Sequence, residues 1–263
     1  MTELDNTALE VSTESTKPEF VKWLGALWFK PGATFQKIIA ADGKTWWLPL
    51  VLLSILQLVK NLVEISARKA AALMATPALP QGMQYITPDQ QGQIDQSINY
   101  QSGIFFTFFI PLLMGLAGIW ITWLILSSIL HISLTLGGSR SGSGTTFNLS
   151  AWASLPIALR LIIQIIGILI TQSLISHPGF SGFITIQGRA TLIFSTLLGM
   201  IDLFFILQLV YLIIGTAHLG GVTTRKAIAT VMSSLGVTML LSAIPAFVSY
   251  SISGMNISRP FFF

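Results

Sequence analysis

The chain has 263 residues, of which 52% are hydrophobic and only 9% charged, and its mean hydropathy is +0.75. Soluble domains carry about 25% charged residues, so charges this sparse could not cover a globule of this size in water, and most of the chain must have the bilayer as its solvent. Cysteine is absent, which excludes disulfides, thiolate metal sites and a cysteine nucleophile; the 14 Lys and Arg behind the net charge of +4 are scattered, with no basic run to follow a nucleic-acid backbone.

Residues 1–19 are polar and rich in Ser, Thr and Glu. They lack the basic start and apolar run of a signal peptide and are expected to form a disordered cytoplasmic tail. In residues 20–45, Phe20, Trp23, Leu24, Leu27 and Trp28 recur at helical spacing between Lys22 and Lys30. This is the pattern of an interfacial amphipathic helix in the headgroup layer; packing against the ends of the membrane helices fits it equally. Pro31 and Gly32 interrupt the helix, and a second short turn carries Phe35, Ile38 and Ile39 toward Trp46.

A helix needs about 20 mostly apolar residues to cross the hydrocarbon core. Between 46 and 250 five windows qualify: 46–65, 104–133, 155–175, 192–214 and 228–250. The second is long enough to tilt, or to bend at Pro111. In the long first connection, 66–103, "TPDQQGQIDQSI" has Thr87 as an N-cap and Pro88 at the first helical position, which predicts a short polar surface helix. The connection "LGGSRSGSGTTFN", 136–148, has the glycines of a phosphate cradle but Thr145 where a Walker pattern needs Lys. It reads as a flexible linker. Residues 251–263 form a C-terminal tail.

Lys17, Lys22, Lys30, Lys37, Lys44, Arg140, Arg225 and Lys226 fall on the N-terminal side of these spans, against Arg68, Lys69, Arg189 and Arg259 on the other. By the positive-inside rule the N-terminus is cytoplasmic and the C-terminus outside. The expected fold is all-α integral membrane: five transmembrane helices with an N-terminal interfacial amphipathic helix.

Catalytic chemistry is hard to find. An aspartyl intramembrane protease needs two carboxylates in one site, whereas only Asp202 lies deep in a span, with Glu64 near the far end of another. His131, His177 and His218 lack the spacing of a zinc protease. No catalytic, cofactor-binding or metal residues are expected. Asp202, in "GMIDLFFILQLVYLIIG", is nevertheless an anomaly, since ionisable groups at membrane depth are costly and usually paired or functional. Arg160 and Gln164 of the third span and Gln208 of the fourth lie at related depths, and spans joined by a short loop tend to be neighbours. Arg160, Gln164, Asp202 and Gln208 are therefore expected to form one intramembrane polar cluster. Such a cluster either glues helices together or holds an ion or proton. Lys60 and Glu64, four residues apart, read as a local ion pair. Gly115, Gly118 and Ser127 mark places where helices could approach closely.

Several segments, in order, resemble the Yip-domain (Ypt-interacting protein) family. "IDLFFILQLVYLIIGTAHLGGVTTRKAIA", 201–229, is similar to its fourth-span signature, in which an Asp precedes aromatic and aliphatic residues, a Gly and a small polar loop ending in Arg/Lys-Ala. "WFKPGATFQKIIAADGKTWWLPL" looks like the family's entry segment and "GGSRSGSGTTFNLSAWASLP" like its second-to-third-span loop. "TPDQQGQIDQ" is similar to the first loop of bacterial members. The resemblance implies five spans and puts Asp202 on the family's recurring acidic position. In eukaryotic members it goes with binding of prenylated Rab-type GTPases in ER–Golgi traffic. The bacterial-style first loop and the absent cysteines favour a prokaryotic member in a bacterial cytoplasmic membrane, and count against a Rab-type GTPase.

The expected function is that of a non-enzymatic multi-pass membrane protein, acting as a scaffold, membrane-organising factor or accessory subunit of a larger membrane complex. Its partners would be the lipid bilayer and other membrane proteins or further copies of itself, with no nucleic acid and no cofactor. The alternative is a small ion or solute transporter or channel using the Arg160–Asp202 polar cluster.

Overall fold

The computed structural model describes residues 20–41, 43–74, 88–89, 92, 96, 99–100, 102–175, 178–184 and 189–252. The expected tail at 1–19, nearly all of the one at 251–263 and most of the surface helix from Thr87 lie outside the described residues. Two short helices, α1 (Phe20–Phe29) and α2 (Pro31–Ala40), lead into α3 (Trp47–Met74). A π-helical turn (Phe105–Phe109) runs into α4 (Ile110–Leu136), followed by α5 (Ser143–Ala153) and α6 (Leu155–Thr171). A 3-10 turn (Gly179–Phe183) precedes α7 (Arg189–Met200), α8 (Leu203–Ala217) and α9 (Thr224–Ile252).

Where water is absent, every backbone polar group must be satisfied within the segment, and a helix does this for any apolar sequence. Four stretches are long and apolar enough to cross a bilayer: Trp47–Ala71, Phe105–Leu136, Ser143–Thr171 and Thr224–Pro245. The pair α7 and α8, bent by 64° at a short break, makes a fifth crossing if taken as one span. The fold is thus all-α and multi-pass.

The crossings form a ring. α3 packs on α4 and α6, α4 on α9, α9 on α7 and α8, and α8 on α6. α5 enters the ring at the N-terminal end and touches α2, α3, α4 and α8. Leu149, Ser150, Ala151, Trp152 and Ala153 are buried along it. Residues 143–148, expected as part of a flexible linker, are therefore the first turns of a buried helix. Small Gly, Ser and Thr side chains look like linker composition, yet they are also what lets a helix approach others closely. The hydroxyl of Ser127 on α4 meets that of Ser150 at 2.5 Å. Of the other small residues, Gly115 lies under the Gln57 side chain, whereas a Cβ on Gly118 would meet nothing within 4 Å.

Asn148 on α5 organises the start of α3. Its Oδ1 accepts from Thr45 N–H at 3.0 Å and Trp46 N–H at 3.1 Å, and its Nδ2 donates to the Gly43 carbonyl at 2.7 Å. Trp152 Nε1 adds a bond to Thr45 Oγ1 at 3.0 Å. The first N–H groups of a helix have no intrahelical acceptor, and here a side chain from another crossing supplies one just before α3.

The inner face of α1 and α2 packs on the helix ends. Leu27, Phe35 and Ile38 have no exposed surface, and Tyr211 Oη donates to the Leu27 carbonyl at 3.1 Å. Gly215 permits this contact, since a Cβ there would come within 3.0 Å of both Phe35 and Leu149. Val21 and Phe29 on the outer face are exposed.

Candidate functional site

The apolar run 192–214, expected as one continuous span, is two helices, and Asp202 stands between them. Its backbone is extended, with φ −144° and ψ −176°. Asp is among the best N-caps, because its side chain can accept the otherwise orphaned N–H groups of the first turn. Here Oδ1 accepts from Phe205 N–H at 2.8 Å, and the Asp202 carbonyl accepts from Ile206 N–H at 3.0 Å. The 3-10 turn closes the other side of the break: Phe180 N–H donates to the Ile201 carbonyl at 3.2 Å. Gly179, at φ +56°, makes this approach possible; a Cβ there would lie 2.7 Å from the carbonyl oxygens of Gly199 and Ile201. Only glycine accepts both that dihedral and that crowding.

The second carboxylate oxygen of Asp202, Oδ2, takes Nε of Arg160 on α6 at 3.0 Å, with the two side chains 16% and 20% exposed. Gln208, one and a half turns along α8, is buried and donates through Nε2 to Ser154 Oγ at 3.1 Å, at the joint between α5 and α6. Gln164 makes no hydrogen bond to these groups among the described residues. Of the four residues expected in one cluster, Arg160 and Asp202 are in contact. Gln208 links the same crossings at a neighbouring level, and Gln164 is not joined to them.

Helix α3 carries the expected Lys60–Glu64 pair and adds Arg68 to it. Lys60 Nζ lies 3.7 Å from Glu64 Oε1, and Arg68 Nη2 bonds the other carboxylate oxygen of Glu64. Arg68 was expected in the outer connection, but α3 continues to Met74 and carries it within the helix. Arg68 also donates to Asn61 Oδ1 at 2.9 Å and to the Thr107 carbonyl at 3.4 Å, while Asn61 Nδ2 donates to the Phe108 carbonyl at 2.9 Å. Those carbonyls belong to the π-helical turn. Pro111 has no N–H to offer the Thr107 carbonyl four residues back, so polar side chains of α3 fill the gap. The charges thus fall in two groups, Lys60 and Arg68 on Glu64 within α3, and Arg160 on Asp202 between α6 and α8.

Among the described residues, no three His, Cys, Asp or Glu side chains converge as metal ligands would. What these groups can do is clamp two pairs of crossings through charge-assisted bonds, α3 to the turn before α4 and α6 to α8, or pass a proton or ion if the carboxylates exchange partners. Comparisons with curated proteins and with solved structures found no match. A family model described as the Yip1 domain matches residues 25–244, a stretch that reaches from α1 into the last crossing and contains both residues of the Arg160–Asp202 pair. That family is not a known family of enzymes. The chain belongs to the Yip1 domain family and is a multi-pass membrane protein.

Proposed function

We propose that the protein is a non-enzymatic membrane scaffold, membrane-organising factor or accessory subunit of a larger membrane complex. The observation that supports this reading is the full engagement of the charges at depth. Asp202 is divided between Arg160 and the first turn of α8, and Glu64 between Lys60 and Arg68. Asn61 and Arg68 fill the carbonyls of the π-helical turn. Groups committed in this way fix helix positions, as polar side chains do in lipid. The outward surface is then apolar, with Leu113, Ile121 and Leu124 on α4 and Ile163, Ile166 and Ile170 on α6 exposed for lipid or for partner helices. Extraction from native membranes in mild detergent, followed by mass and composition of the particle, tests the reading. Partner chains at fixed stoichiometry support it; a bare monomer counts against it.

A second reading, a small ion or solute transporter or channel, has one observation in its favour. A discontinuous helix is how many transporters build a binding site at membrane depth, and here the break carries Asp202 paired with Arg160. Flux in vesicles that is abolished by Asp202→Asn, in protein that stays folded, would favour this reading over the scaffold.

We place the N-terminal end in the cytoplasm of a bacterial cell, with the C-terminus outside. Lys22, Lys30, Lys37, Lys44, Arg140, Arg225 and Lys226 flank the crossings at the N-terminal end. The other end has lost Arg68 to the interior pair with Glu64, which strengthens the positive-inside bias. A Rab-type GTPase has no part in this proposal.

A further inference from the structure

We propose that the cavity at the N-terminal end of the bundle binds a phosphate-bearing ligand, either the headgroup of an anionic phospholipid or a free phosphate compound. Two glycine-containing connections, α4 to α5 and α8 to α9, border this open cavity, which measures about 650 Å³ and is lined in part by Arg140, Ser141, Thr145, Gly138, Gly220 and Gly221. Gly138 and Gly221 adopt φ +89° and +79°. A Cβ on Gly221 would lie 3.4 Å from the Gly138 carbonyl, so the two loops approach backbone to backbone. Lys226 straps them together, its Nζ donating to the Gly137 carbonyl at 2.9 Å.

Three properties of the lining fit a phosphate. The Arg140 guanidinium makes no hydrogen bond or ion pair with any described residue, and a planar guanidinium pairs well with phosphate oxygens. Thr145 stands beside it in the first turn of α5, whose N-cap, Gly142, offers no side-chain capping bond. The N–H groups of that turn add positive potential on the same side as Arg140. Among the described residues the charges around the cavity are also one-sided. Lys37, Arg140, Arg225 and Lys226 belong to this end, while the described carboxylates, Glu64, Asp89 and Asp202, lie on the outer part of α3, in the first connection and at the α7–α8 break. The volume exceeds that of a bare phosphate and falls in the usual range for small-ligand sites. Ile39 and Leu219 supply an apolar wall for the carbon part of a larger molecule. The site stands whether the protein is a scaffold or a transporter.

The test uses the full chain in a neutral maltoside detergent. Calorimetric titrations compare dihexanoyl phosphatidic acid, inorganic phosphate and dihexanoyl phosphatidylcholine. Phosphatidic acid should bind saturably at one per chain, and phosphatidylcholine much more weakly. Arg140→Gln removes the free cation and should weaken binding about tenfold. Gly220→Phe adds a ring to the lining, from a position where an added Cβ meets nothing within 4 Å, and should weaken it at least as much. Lys69→Gln, an exposed cation near the far end of α3, should leave it unchanged. Thermal midpoints confirm that each variant is folded. Equal binding of inorganic phosphate and phosphatidic acid identifies a free phosphate compound as the ligand; binding of phosphatidic acid alone identifies a lipid headgroup. The proposal is overturned if neither binds, if phosphatidylcholine binds as tightly, or if Arg140→Gln and Gly220→Phe bind like the parent protein.

Discussion

Asp202 holds Arg160 with one carboxylate oxygen at 3.0 Å and caps α8 with the other, through Phe205 N–H at 2.8 Å. The ion pair and the helix break are thus a single construction, and substitutions should separate its parts. Asp202→Asn keeps a capping oxygen but leaves Arg160 without its counter-ion. It should cost about 1–3 kcal/mol, below the range for breaking a fully buried pair because both side chains retain some exposure. Asp202→Ala also loses the cap and should cost about 1 kcal/mol more. The double variant Arg160→Gln/Asp202→Asn should be milder than the sum of its singles by about 0.5–3 kcal/mol. Reversible unfolding in mixed micelles reads all four. Strict additivity would mean that the pair does not hold the bend.

The link between Asn61 and Pro111 makes an independent prediction. Asn61 donates to the Phe108 carbonyl in the turn that Pro111 disrupts. Replacing Asn61 by Leu should destabilise by about 1–3 kcal/mol, because a carbonyl in an apolar setting loses its donor. Pro111→Ala restores an N–H to the helix and lets the π-helical turn relax toward α-helix. In that background Asn61→Leu should cost markedly less. An undiminished cost would show that Asn61 acts through packing rather than through the carbonyl.

How far the sequence disclosed this arrangement depended on the range over which each signal acts. Hydropathy is summed over some 20 residues, so the crossings near 104–133 and 228–250 were visible from composition alone. The anomaly at Asp202 was equally visible, and so was its proximity to Arg160. The break was hidden, because the residues on both sides remain apolar and its other half is a turn at Gly179, more than twenty residues earlier in the chain. The inward course of α5 was hidden for a different reason. Gly, Ser and Thr give one composition both to linkers in water and to close helix contacts in lipid, and only the burial of Asn148 and Ser150 separates the two. Arg68 was misplaced because the apolar window closes at residue 65, just before Arg68 and Lys69, whereas charges that pair with one another can extend a helix.

Asn148 tests whether α5 fixes the entry into α3. Its side chain is buried and makes three bonds to backbone groups at Gly43, Thr45 and Trp46. Asn148→Leu is close in size but leaves two N–H groups and a carbonyl unanswered, which should cost about 2–4 kcal/mol on the scale for buried unsatisfied groups. Amide exchange should rise first at Thr45 and Trp46. Unchanged protection there would place the role of Asn148 elsewhere.

Gly179 and Gly118 form a matched comparison. At Gly179 a Cβ would strike three backbone carbonyls at a left-handed dihedral, whereas at Gly118 it would meet nothing. Gly179→Ala should therefore destabilise by about 1–3 kcal/mol, the scale for a residue forced into sparsely populated backbone space. Gly118→Ala should be neutral or slightly stabilising, since alanine is the better helix former. If both variants behave alike, the turn at 179–183 does not close the break.

Thr216 carries a prediction of opposite sign. It has no exposed surface, and its Oγ1 finds no hydrogen-bond partner among the described residues. A buried hydroxyl without a partner is a net cost. Valine has nearly the same shape without the hydroxyl, so Thr216→Val should stabilise the protein by about 1 kcal/mol. Thr216→Ser keeps the unanswered hydroxyl and removes a methyl group, so it should destabilise by about 1 kcal/mol through lost packing. Ser127→Ala is the control, because the Ser127 hydroxyl is bonded to Ser150 Oγ and to the Trp123 carbonyl and its removal should destabilise. Thermal midpoints in one detergent should rank Thr216→Val above the parent protein and Thr216→Ser below it. A Thr216→Val variant that melts clearly lower would show that the hydroxyl is bonded in the membrane, to lipid, water or another chain.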